Sequence, residues 1–227
     1  MSTDIVQFVS FIFALLLSVI VHEVAHGWMA LQRGDPTARD AGRLTANPVV
    51  HLDLWGSFLV PLVLWLSPGG FVFGWARPVP VDHSRLRDPD RDSLLVALAG
   101  PVSNLLLALA GAFVLGVLGG IASNAGSPLQ SDQGPGVIVL HVLSPLIVIN
   151  TILALFNLLP IPPLDGSWVL SSLLPRSMRA GYESLRPYGF VLLMALLLLG
   201  AFRFLSGAVF SVVDIYLGFA RLVAQII

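Results

Sequence analysis

Residues 5–31 constrain this chain more than any other segment: 27 predominantly apolar residues in one run. As a helix the run would be about 40 Å long, more than the roughly 30 Å hydrocarbon core of a bilayer. Further apolar runs cover residues 94–121, 137–159, 188–202 and 207–224; the last two flank Arg203, and Ser206 and Gly207 can make the turn. Five full membrane spans are expected. A shorter run, SFLVPLVLWLS at 57–67, gives only about 16 Å of helix and is expected as a re-entrant or interfacial piece.

Composition agrees. Hydrophobic residues make up 56 % of the chain and charged residues 11 %, against about a quarter charged in a soluble domain. The net charge of −1 gives no basic face for nucleic acid. The opening MSTDIVQ has no positive region and no small-residue cleavage site follows, so the first run is expected to stay in the mature protein. There is no cysteine, which excludes disulfides, thiolate metal sites and cysteine nucleophiles. Any metal must be held by His, Asp and Glu.

All 12 basic residues are Arg, and their placement sets an expected topology. Arg33, Arg39 and Arg43 precede the short run, and Arg77, Arg85, Arg87 and Arg91 follow it. Both flanks are therefore expected in the cytoplasm, and the Arg-free loop 122–136 outside. Arg176, Arg179 and Arg186 return to the cytoplasm, Arg203 is expected at the outer side and Arg221 at the inner end. This puts the N-terminus outside and the C-terminus inside a cell membrane. GRLT at 42–45 and FVFGWARPVPV at 71–81 read as short cytoplasmic-side strands confined to edges by proline. Such an edge can accept another extended chain; an irregular loop is the plainer alternative. The fold class is thus all-α and polytopic, one domain over 1–227, with a core at 5–175 and a C-terminal helix pair at 187–227.

The chemistry centres on His22-Glu23-Val24-Ala25-His26. Positions four apart share a helix face, so His22 and His26 can offer two nitrogens to one Zn²⁺, with Glu23 about 100° round the helix as a base for activated water. Ionisable groups inside an apolar helix are costly and mark function. A zinc site needs a third protein ligand. His51 and His83 fall in the Arg-rich segments and read as loop residues, and His141 lies at the outer end of its span. Asp165 fits better, at the cytoplasmic side in NLLPIPPLDG, where three prolines break the helix. Its alternative is a helix N-cap. Asn157, eight residues earlier, can hold a substrate carbonyl or oxyanion, or merely a neighbouring helix. Asn150 reads as packing glue, AGPVSN at 99–104 as packing that supports the site, and Asp214 is ambiguous.

HEVAH, AGPVSN and NLLPIPPLDG, together with GRLTANPVVHLDLWGS and GWARPVPVD, resemble the site-2 protease family of intramembrane zinc metalloproteases, in its short bacterial form without PDZ or CBS domains. The resemblance runs from about residue 10 to 175. It implies one Zn²⁺ held by His22, His26 and Asp165, Glu23 as general base, and Asn157 polarising the scissile carbonyl. It also implies a membrane-bound substrate cut within its transmembrane segment near the cytoplasmic side. The rivals are a membrane zinc carrier or sensor without proteolysis and a non-proteolytic relative that holds membrane partners. Glu23 discriminates against the first, since binding alone needs no carboxylate there.

Overall fold

The computed structural model describes residues 3–60, 63, 76–126 and 135–227. Four helices among them are long and apolar enough to cross a membrane. These are α1 (Thr3–Gln32), α3 (Pro89–Asn124), α4 (Pro135–Asn157) and α8 (Leu205–Ile226). Short helices lie between them: α2 (Thr37–Asp40), α5 (Asp165–Leu173), α6 (Arg176–Glu183) and α7 (Gly189–Leu198). Local chemistry sets the start of α3. Pro89 takes the first turn, Asp88 accepts from Arg91 N–H (3.3 Å) and Asp92 accepts from Asp88 N–H (3.0 Å), a reciprocal cap.

Cross-helix contacts fix the directions. His26 meets Val96 and Ser18 meets Asn104, so α3 runs antiparallel to α1. Gln7 meets His141 and Ser18 meets Asn150, so α4 runs parallel to α1. Tyr216 donates to Leu105 O (3.0 Å) and Asn124 to Ile227 O (2.9 Å), so α8 runs parallel to α3. Small residues let these helices approach. A Cβ on Gly116 would lie 2.5 Å from Ala220 O, and Ala112, Ile147 and Ala220 form one buried cluster. A second cluster, Ala14, Leu146 and Ile149, joins α1 to α4.

These directions correct the expected topology. The apolar run 188–202 is not a span: α7 has ten residues, about 15 Å, and Gly200 at φ 68° ends it before a 3₁₀ turn at Ala201–Phe204. The chain thus enters α8 at the end where the Arg-rich segments lie. Both chain ends and the turn after Asn124 share the opposite end, instead of lying across the bundle from each other. Arg203 sits with the other arginines, and only Arg221 is far from them.

Among the described residues there is no strand. At 42–45, Gly42 (φ 65°) closes the end of α2 with its N–H on Arg39 O, giving a turn. Residues 76–81 take no regular secondary structure, and Pro78 and Pro80 carry no N–H for a ladder; residues 71–75 lie outside the described residues. The short run at 57–67 begins within a π-helical turn, Leu54–Leu59, capped by Asp53; most of its remainder lies outside the described residues, as does most of the loop 122–136.

Candidate metal centre

His22 and His26 project from one face of α1, and Asp165 opens α5 just beyond the end of α4. The three are the group among the described residues whose donor atoms all lie within 4.8 Å of one another. His22 Nε2 is 3.0 Å from His26 Nε2, and Asp165 Oδ2 is 3.1 and 3.3 Å from them. Ligands at about 2.05 Å in a tetrahedron stand about 3.3 Å apart, so the spacing suits one small cation.

The surrounding hydrogen bonds decide what these atoms carry. His26 Nδ1 lies 2.7 Å from Val96 O, and a carbonyl can only accept, so Nδ1 holds the proton. Asn104 Nδ2 donates to Ser18 O (3.1 Å) and Asn150 Oδ1 (2.7 Å), which turns its Oδ1 toward His22 Nδ1 at 2.5 Å. His22 therefore also keeps its proton on Nδ1. Two bare Nε2 lone pairs and a carboxylate oxygen then face one another. Asp165 Oδ2 is buried and has no hydrogen-bond partner. Three acceptors converging without a proton between them need a cation, and a His₂–carboxylate set suits zinc.

Two glycines permit the assembly. A Cβ on Gly100 would overlap His26 Nε2 and His22 Cε1, and one on Gly166 would overlap the carbonyl of Leu158. Gly100 lets α3 lie against the histidines; Gly166 lets α5 tuck under the end of α4 and present Asp165.

Glu23 stands apart from the cluster. It is half-buried, and its Oε2 accepts from Val79 N–H at 2.7 Å. Asn157 ends α4, half-buried, and donates to Leu153 O (2.9 Å) in its own helix; no hydrogen bond joins it to the cluster. His51 is buried against Thr45 O, His83 stacks on Trp168, and His141 meets Gln7 at the far end. None of these three reaches the site.

The family model for peptidase family M50 matches residues 10–133 and 122–200. The chain belongs to the site-2 protease family, M50. It is 40 % identical over 187 residues to YwhC of Bacillus subtilis, which carries the name of a zinc metalloprotease; the match covers 82 % of this chain and 78 % of that one. Rip2 of Mycolicibacterium smegmatis, named likewise, is 30 % identical over 84 % of this chain and 67 % of its own. No solved structure matches. The chain is thus a metalloprotease by family, and zinc is the metal that its relatives' names imply.

Sequence reasoning missed several residues of this M50 site. Asn104 and Asn150, read as packing, orient His22 through a buried network that includes Ser18. A signal was present: Asn104 follows Gly100 by four and so shares its helix face. The clasp on α5 was also missed. Trp168 is stacked between the His83 ring (3.9 Å) and the Arg186 guanidinium (3.3 Å). No local pattern joins three residues so far apart in sequence.

Proposed function

We propose that this M50 protease is an intramembrane endopeptidase that cuts a transmembrane segment of a membrane-bound protein near the cytoplasmic side. The observation that carries this reading is the convergence of His22, His26 and Asp165, with Glu23 next in sequence, inside an apolar helix bundle. His22, His26 and Asp165 would hold one zinc ion per chain. When bound, the ion polarises the scissile carbonyl and makes water acidic enough to attack at neutral pH. Glu23 takes the proton from the attacking water and returns it to the leaving amine. Asn157 offers an amide N–H to the oxygen that gains charge. A helical substrate must unwind first, because its carbonyls are tied to its own N–H groups.

The end that holds the site also holds every arginine but Arg221, and under the positive-inside rule this supports a cytoplasmic side for that end. Both termini then lie on the other face of the cell membrane. Reporters fused to either terminus should read as external and one near Arg85 as cytoplasmic; a cytoplasmic C-terminus with an external N-terminus would refute this arrangement.

The central test is Glu23→Gln. It should keep zinc and fold yet lose cleavage of co-expressed single-span proteins by about 10²–10⁴-fold, holding uncut substrate. Cleavage at the wild-type rate would overturn the mechanism. Zinc transport across vesicles that depends on His22 and Asp165, with no cleavage, would favour a carrier.

A further inference from the structure

We propose that the backbone amide of Val79 is a positioning group for Glu23, delivered by the segment Pro78-Val79-Pro80; this rests on reading Glu23 as the proteolytic base. Neither proline has an N–H, so across these three residues the chain has one donor, and that donor meets Glu23 Oε2 at 2.7 Å. Each proline also forces the residue before it into extended backbone. Arg77 and Val79 are those residues, which keeps the segment straight without any neighbouring strand.

The segment is fixed from several sides. Arg43, itself buried, donates through Nη2 to Arg77 O (2.6 Å) and Pro78 O (3.3 Å). Arg77 N–H donates to His51 O (2.8 Å). The Val79 side chain is buried against Gly27, where a Cβ would stand 2.7 Å from both Val79 Cγ1 and Leu44 Cδ2. Gly27 follows Glu23 by four, so it shares the base's helix face. The bare spot that seats the Val79 side chain therefore lies one turn from the carboxylate that its amide holds.

The consequence is chemical. A glutamate on three rotatable bonds seldom points one way. With Oε2 held by an N–H···O⁻ bond, its rotation is limited and Oε1 is left to take a proton. A base must be placed before its basicity matters.

The test compares two changes at one position. Val79→Pro removes the amide hydrogen and suits the extended backbone; Val79→Ala keeps the hydrogen and trims the side chain. With zinc-loaded full-length protein in detergent and a fluorescent single-span peptide, Val79→Pro should lower kcat about 10- to 100-fold, with KM and zinc content unchanged. Val79→Ala, which keeps the hydrogen but loosens the seat on Gly27, should lose clearly less than Val79→Pro. Gly27→Ala, which displaces the segment, should act in the same direction as Val79→Pro.

A second readout needs no activity. Labelling proline carbonyl carbon with ¹³C and valine nitrogen with ¹⁵N selects the valines that follow proline: Val49, Val79, Val81 and Val102. The Val79 signal, identified by its loss in Val79→Ala, should exchange with solvent about tenfold faster or more in Glu23→Ala. Equal exchange rates in the two proteins would overturn the contact. Wild-type kcat in Val79→Pro would overturn its role. Zinc-loaded wild type that cuts no peptide would overturn the protease reading and the purpose of the contact with it, while the amide rates show separately whether the contact exists.

Discussion

Helices α1 and α8 are both long and apolar, with mean hydropathy 2.3 and 1.6 over their candidate spans, but they place their polar residues oppositely. In α1, Ser18, His22 and His26 are buried, and each is hydrogen-bonded to a neighbouring helix. In α8, Ser211, Asp214, Arg221 and Gln225 are exposed, while Val209, Val213 and Ala220 face the bundle. Polar groups in a bilayer are expensive. Where the bundle offsets that cost with partners, the groups belong to a built site. Composition along a span does not separate the two cases; the direction of the side chains does.

The comparison breaks most directly at the candidate ligands. His22→Ala, His26→Ala or Asp165→Ala should each reduce bound zinc from about one ion per chain to near none, measured by atomic emission on purified protein. Full occupancy in Asp165→Ala would remove it from the ligand set.

A smaller effect tests whether the network behind α1 matters. Asn104→Leu leaves the ligands in place but frees the His22 ring to turn. Zinc affinity should fall about 10- to 100-fold in competition with a chelator, and Asn104→Ser, which can still accept from Nδ1, should recover part of the loss. Unchanged affinity would reduce the network to packing.

The clasp on α5 gives a smaller, pH-dependent effect. Burial, with the Arg186 guanidinium nearby, lowers the His83 pKa below its ordinary 6.5. The folded chain therefore favours the neutral ring. Its contribution is complete above about pH 6.5 and is lost as pH falls through the lowered folded value. Trp168 fluorescence, isolated by subtracting Trp168→Phe, should report a loosened stack on acidification. In His83→Gln that change should disappear.

The smallest expected effect lies on α8. Asp214→Leu removes an exposed carboxylate and should leave zinc content and cleavage unchanged. Loss of zinc there would erase the distinction between the two helices.

The candidate site was legible because its signals are local. The four-residue spacing of His22 and His26 determines a shared helix face, and the prolines around Asp165 mark a break in the apolar run. The topology at the C-terminal side was misread because hydropathy at 188–202 gives no weight to Gly200, which ends α7 after ten residues. Moving that one segment from span to short helix brings the C-terminus to the other end of the bundle. The strand expected at 42–45 gave way to a turn, because Gly42 closes the end of α2. Over 76–81, Val79 and Val81 suit a sheet, but Pro78 and Pro80 leave too few donors for a ladder. The Asn104 network is hard to read because its bonds to His22, Ser18 and Asn150 join residues on separate helices.

Those bonds also join residues made at different times. His26 and Val96 are 70 positions apart, His22 and Asn104 are 82, and Ser18 and Asn150 are 132. At about 5–20 residues per second of synthesis, His22 is made roughly 4–16 s before Asn104, and Ser18 roughly 7–26 s before Asn150. During that interval a helix bearing two histidines and a glutamate has no partners for them. The polar groups of α1 therefore depend on partners from helices made after it.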